Sequence, residues 1–401
     1  MFLLFHKHIP FLLITLFVFS TQLNTKLLSS LRSSCSNILI QNYTSLQYLG
    51  FMMSLNVGEP YTKMELQLDM NNDISWISKF AFTTQSKTLY KHSPPFRFSR
   101  RNITHITTEH TDYVSLLLPY EGNARFNFSF MFAAYGHTEY PSFALCRKYY
   151  NERFNTVNNM KLAKHISHTS FTIINHNIER SNGSIVFGDI TNNKILSNEY
   201  YKEVLTPINI DDSDISWSVK LKQISFMFNN KEYVYQNTID NDIALFQTTF
   251  YGVHAPSSFL RYLRNIMVNE GLFKQDCALF ALNKVDIFQC KTDISTYFKN
   301  FYFDIGNIRI NLGNLVIKEN DYTYSLLIGN YNNYYKDKWI FGTVLYDKYI
   351  LTFDIDKDII YIYSKDKLTN DTYTKSIITL CIIILICGIS LISLIKFELI
   401  L

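Results

Sequence analysis

Three features of the 401-residue sequence predict a mainly β chain built as two related lobes. Short runs rich in aromatic and β-branched residues, edged by Gly, Asn or Asp, fill its middle. One local pattern, apolar positions running into an aspartate, occurs twice, at Leu66-Gln67-Leu68-Asp69 and at Thr238-Ile239-Asp240. Helical spacing of apolar residues is confined to a few short windows.

Taken in chain order, residues 1–21 place Lys7, between His6 and His8, before an apolar run over 10–19 that ends in Ser20 and Thr21. That layout is a signal peptide, because the run is short for a bilayer span. Residues 22–47 form a short leader. The first lobe, 48–200, carries strand-like runs at 51–57 (FMMSLNV), 64–68 (MELQL) and 184–187 (SIVF), with a short helical candidate over 158–166. The second lobe, 201–368, carries such runs at 218–221, 301–303 and 350–353. Its helix is expected over 257–268, where Phe259, Leu260, Leu263 and Met267 line one face. Each lobe also holds a short apolar triplet ending in a small residue, Phe132-Ala133-Ala134 and Ile340-Phe341-Gly342.

A stalk at 369–375 leads to the uncharged stretch 376–395, SIITLCIIILICGISLISLI, bracketed by Lys375 and Lys396. An uncharged, largely apolar stretch of twenty residues matches a hydrocarbon core of about 30 Å, so one transmembrane helix with a tail at 396–401 is expected. A lipid-anchor signal cleaved near Thr369-Asn370-Asp371 is the alternative. Either reading makes the chain a membrane-tethered protein of the secretory pathway, type I if the helix spans, with a luminal or extracellular ectodomain.

That compartment agrees with five Asn-x-Ser/Thr acceptors, at Asn42, Asn102, Asn127, Asn182 and Asn370. Cys277 and Cys290 are close in sequence and are expected to bridge; with Cys381 and Cys387 inside the C-terminal apolar stretch, Cys35 and Cys146 remain, and their pairing stays open. The net charge of +4 is small and its basic residues are scattered, which excludes a nucleic-acid footprint. No metal-ligand spacing, P-loop or dinucleotide motif is present, so no cofactor or metal is expected. His165 and His168 read as surface residues, and Asp211, Asp212 and Asp214 as a solvated loop.

The segment YLGFMMSLNVGEPYTKMELQLDMNNDISW, from Tyr48 to Trp76, resembles the N-terminal lobe of the pepsin-like aspartic peptidases. There a Gly-x-Pro turn leads through one strand to Asp-Thr-Gly, with a Trp seven residues after the Asp. Gly58, Pro60, Asp69 and Trp76 stand in those places. Asn182 to Asp189, Pro207 with Trp217-Ser218-Val219, and Trp339-Ile340-Phe341-Gly342 through Phe353-Asp354 extend the resemblance from about Tyr48 to Tyr363. It implies a bilobal fold with a cleft between the lobes, a peptide or protein in that cleft, and a catalytic pair, Asp69 and Asp240. Two carboxyls about 3 Å apart share one proton, so one activates water while the other protonates the scissile carbonyl.

The motif is altered in both lobes. Asp69 is followed by Met70-Asn71, and Asp240 by Asn241-Asp242, where the family has Thr-Gly. Met70 has no hydroxyl to tie the loops together, and Asn71 and Asp242 add bulk where glycines let backbone N–H groups approach the carboxylates. Tyr113 falls where the resemblance expects the flap tyrosine, but lacks the glycine that usually follows. The leader is short for an inhibitory prosegment. Two functions follow as expectations: an aspartic endopeptidase of weak activity, or an inactive relative that keeps the cleft as a binding module.

Overall fold

The computed structural model describes residues 27–31, 39–46, 50–59, 61–78, 86–87, 89–92, 96–100, 103–118, 122–135, 141–149, 151–177, 182–208, 215–236, 243–249, 251–272, 276–282, 285–331 and 338–365. The signal, the stalk, the transmembrane stretch, Cys35, Asn102, Pro60, Asn370 and the Asp240-Asn241-Asp242 motif lie outside these. Among the described residues no helix is long and apolar enough to cross a membrane.

The first half contributes β1 (Leu39–Leu46), β2 (Gly50–Val57), β3 (Thr62–Asp69), β4 (Trp76–Ser78), β5 (Tyr90–Lys91), β6 (Phe96–Arg100), β7 (Ile103–Leu118), β8 (Gly122–Tyr135), β9 (Ser142–Ala144), β10 (Ser170–Asn177) and β11 (Asn182–Phe187). Helices α1 (Thr156–Leu162) and α2 (Lys194–Glu199) flank its later strands. The second half contributes β12 (Tyr201–Leu205), β13 (Ser218–Phe228), β14 (Lys231–Gln236), β15 (Ile243–Phe246), β16 (Val253–His254), β17 (Cys277–Leu282), β18 (Val285–Cys290), β19 (Phe298–Ile305), β20 (Ile308–Gly313), β21 (Val316–Asn320), β22 (Thr323–Tyr331), β23 (Trp339–Phe341), β24 (Ile350–Asp354) and β25 (Ile359–Ser364). Among the described residues its longest helix, α3 (Ser257–Asn269), buries Phe259, Leu260, Leu263 and Met267, the face its spacing predicts.

Six strands in the order β12-β25-β24-β10-β11-β1 form a floor shared by both halves of the chain. From β1 the same sheet continues through β2, β3, β9, β4, β8 and β7 into the first lobe. The second lobe is a separate sheet running β17-β18-β22-β16-β23-β15-β13-β19-β20. Alternation sets which faces are buried: Met64, Leu66 and Leu68 of β3 point inward while Lys63 and Glu65 are exposed.

An aromatic chain joins floor to second lobe. Phe171 of β10 stacks on Phe353 of β24 at 5.0 Å, and Phe353 meets Trp217 at 5.2 Å. The Trp217 indole N–H then donates to the Leu145 carbonyl of the first lobe at 3.0 Å, so this large buried side chain keeps its polar atom satisfied. Cys277 and Cys290 lie in register across β17 and β18 and form the expected disulfide. Cys146 is buried, and Cys35 lies outside the described residues.

Gly50 sets how closely the halves approach. It has φ +75°, and a Cβ there would stand 2.0 Å from the Thr248 carbonyl oxygen. Without that Cβ, the next amide, Phe51 N–H, donates to the same oxygen at 2.8 Å. Gly50→Ala is therefore expected to lower the unfolding free energy by at least about 2 kcal/mol, through strain and the lost contact, in urea titration of the purified protein.

Candidate functional site

The two lobes repeat one arrangement of four strands. In the first, β3 runs parallel to β9, β9 antiparallel to β4, and β4 parallel to β8. In the second, β15 runs parallel to β23, β23 antiparallel to β16, and β16 parallel to β22. Asp69 is opposite Ala144, and Trp76, seven residues on, is opposite Ser142. Phe246 is opposite Phe341, so Gln247 falls level with Gly342, and His254, seven residues on, is opposite Ile340. The steps from Ser142 to Ala144 and from Ile340 to Gly342 are equal. The second-lobe counterpart of Asp69 is Gln247.

This register revises two sequence expectations. Asp240 precedes β15 and lies outside the described residues, whereas the equivalent turn follows the strand as Gln247-Thr248-Thr249. The first-lobe partner of Ile340-Phe341-Gly342 is Phe143 and Ala144 on β9, not Phe132-Ala133-Ala134, which sits on β8. The signal for Gln247 was present in the run Ile243-Ala244-Leu245-Phe246, which enters a turn holding a threonine. The absence of an aspartate there hid it.

The two turns meet across the lobe boundary. The Thr248 hydroxyl donates to the Leu68 carbonyl at 2.6 Å, both groups being fully buried. The first-lobe position equivalent to Thr248 is Met70, equally buried and without a hydroxyl; its sulfur instead accepts from Tyr346 Oη at 3.2 Å. Burial pushes the Tyr346 phenol well above its ordinary value, which keeps it a neutral donor. The Tyr346 ring also packs edge-on against Phe51 at 5.5 Å. Cross-lobe bonding through hydroxyls is thus halved, with a sulfur contact in place of the other half.

Between the turns, Asn71 Nδ2 donates to Gln247 Oε1 at 2.8 Å, and both side chains are buried. Gln247 Nε2 in turn donates to Thr249 Oγ1. Asp69, half-buried, accepts the Asn71 backbone N–H on Oδ1 at 2.9 Å. The two equivalent positions therefore hold one carboxyl and one carboxamide, linked through Asn71. Gln67 Nε2 adds another cross-lobe bond to the Thr249 carbonyl at 3.2 Å.

The remaining predicted residues are dispersed. Trp76 is buried with Ile74, Met131 and Phe154, a packing role inside the first lobe. Tyr113 lies in the middle of β7 opposite Asn127, and its neighbour Val114 pairs with Val57 of β2. The ends of β7 lie ten residues before Tyr113, at Ile103, and five after it, at Leu118, where the chain turns into β8. Asn127 and Asn182 are exposed, and Asn42 lies on β1. Among the described residues no group of three or more His, Cys, Asp or Glu side chains is placed to hold a metal.

Residues 140–363, more than half the chain, match the eukaryotic aspartyl protease family, and the chain belongs to that family. No curated protein matches it. Among solved structures, an aspartic proteinase from Irpex lacteus matches with a TM-score of 0.62 at 12% identity, covering 82% of this chain and 97% of the other. Basic 7S globulin from soybean matches with a TM-score of 0.63 at 12% identity, covering 83% and 96%. Conglutin gamma, a basic 7S globulin from lupine seeds, matches with a TM-score of 0.61 at 14% identity, covering 82% and 95%. At these identities the likeness is one of fold: a bilobal, mainly β architecture of pepsin type.

Thr248→Val keeps the side-chain shape, removes the donor and leaves the buried Leu68 carbonyl without it. The expected cost is about 1–3 kcal/mol, measured by urea unfolding, with Thr248→Ser losing less.

Proposed function

We propose that this protein is a catalytically silent member of the aspartyl protease family that uses the region between its lobes to bind an extended peptide or a protein segment. The observation that carries the reading is that Gln247 holds the second-lobe position equivalent to Asp69 and is bonded through Oε1 to Asn71. The family's chemistry needs two carboxyls sharing one proton, so that each can be acid and base in turn. A carboxamide has no proton to exchange in the working pH range and cannot take either role. Asn71 adds a second obstacle, since its side chain reaches across the lobes where the family's glycine leaves space for water. One carboxylate can still orient a ligand, and the cross-lobe bonds keep the two halves in register.

Anchoring belongs to the same proposal. The apolar stretch 376–395 holds the binding lobes at a membrane surface, with the glycan acceptors outside the cytoplasm. Peptidase activity is the rival function, supported by family membership and the retained Asp69.

A mixed peptide library incubated with the purified protein between about pH 3 and 7 separates the two. No cleavage above an Asp69→Asn control is expected, together with saturable binding of a statine-containing peptide. Cleavage that disappears in Asp69→Asn and is blocked by that peptide would overturn the proposal.

A further inference from the structure

The outer edge of the second-lobe sheet is formed by β17, which among the described residues pairs only with β18. Its sequence, Cys277-Ala278-Leu279-Phe280-Ala281-Leu282, carries no charge. The other three end strands of the two sheets, β5, β12 and β20, carry Lys91, Lys202 and Arg309. A charge on an edge strand discourages pairing with another chain, and β17 alone of the four lacks that guard. Leu279 and Phe280 are 40% and 50% exposed. Being consecutive on a strand, they point to opposite faces, so β17 offers apolar surface on both.

The Cys277 N–H donates to the Leu272 carbonyl at 3.2 Å, away from Cys290, whose Cα lies 4.0 Å from that of Cys277. That close spacing belongs to the non-hydrogen-bonded kind of antiparallel pair. By alternation, Ala278 and Phe280 exchange main-chain bonds with β18, while Leu279 and Ala281 turn their N–H and C=O groups outward. Among the described residues nothing pairs with those outward groups. The disulfide closes the base of the hairpin, so the edge is formed before any partner arrives.

We propose that β17 is a dimerisation edge, on which β17 of a second copy of this chain pairs antiparallel about a two-fold axis at Phe280. In that register each Leu279 exchanges main-chain bonds with Ala281 of the other copy, and the two Phe280 side chains meet on one face. The occupant is a second copy because the strand is complementary to itself. It is uncharged, and the nearest charges in the chain are Asp276 before it and Lys284 after it, opposite in sign. Antiparallel pairing brings these unlike ends together, as an isologous two-fold contact requires. Four strands separate β17 from β15 and the Gln247 turn, so pairing at this edge does not involve the Asp69 and Gln247 region.

Cysteine crosslinking of the full-length protein in detergent reads this contact, with wild type oxidised alike to set the background from its own cysteines. Phe280 opposite its own copy in a non-hydrogen-bonded pair stands within disulfide reach. Phe280→Cys is therefore expected to give, on mild oxidation, a reducible dimer at least about tenfold more abundant than Tyr201→Cys gives. Tyr201 is 52% exposed on β12, an edge guarded by Lys202 and Glu203. Adding Leu279→Pro to Phe280→Cys removes an outward N–H and leaves the β18 ladder whole, so the crosslink should fall at least about tenfold. Leu279→Lys puts a charge on the edge without altering the backbone and should do the same; it decides the matter where the proline variant fails to fold. The proposal is overturned if Phe280→Cys crosslinks no more than Tyr201→Cys, the result also expected if a different protein covers this edge. It is equally overturned if the crosslink survives Leu279→Lys.

Discussion

The hydrogen bond from Thr248 to the carbonyl of Leu68 is the constraint on which the arrangement of the lobes turns. It runs from the second-lobe turn to the last residue before Asp69, so it fixes the height of the acid against the opposite lobe. Its setting makes it costly to lose. Both partners are buried, and an unsatisfied carbonyl in that environment has no water to replace the donor. Gly50 permits the approach by leaving room for the Thr248 carbonyl, and Phe51 uses that room for a second bond.

Around that bond the altered motif residues form matched contacts. Met70 has lost a hydroxyl, and Tyr346 supplies a donor to its sulfur. Asn71 fills space where the family has glycine, and Gln247 presents the carbonyl oxygen that its amide requires. The buried Asn71 amide and Gln247 carbonyl oxygen satisfy each other across the lobe boundary. This pairing keeps the lobe boundary well packed and puts a carboxamide at the position equivalent to Asp69, the arrangement on which the proposed binding role rests. That pattern favours a retained scaffold put to binding over a peptidase with a single damaged residue.

Much of the fold was legible because it depends on local alternation and on a few spaced residues. The α3 face, the strands at 51–57, 64–68, 184–187 and 350–353, and the disulfide followed from period and proximity. The first acid was legible for the same reason, since Gly58, Asp69 and Trp76 are fixed by one continuous strand and its turn. The second-lobe counterpart was not, because its defining residue had changed type. A search for aspartate stopped at Asp240, while the register that identifies Gln247 is a parallel pairing with β23, nearly a hundred residues later. The bonds from Thr248 to Leu68 and from Asn71 to Gln247 are longer-range still, and no local pattern encodes them. Tyr113 was placed by counting from the acid, and the length of β7, sixteen residues through that point, is not encoded in that count.

Repair of the site tests the assignment of Gln247 most directly. A variant combining Gln247→Asp, Asn71→Gly and Met70→Thr restores the second carboxyl, the space for water and the missing hydroxyl. The account predicts that this protein gains acid-pH cleavage of a peptide library, lost again on adding Asp69→Asn, while Asn241→Thr with Asp242→Gly gains none. Cleavage in the unrepaired protein that requires both Asp69 and Asp240, or a gain only on changing Asn241 and Asp242, would contradict it.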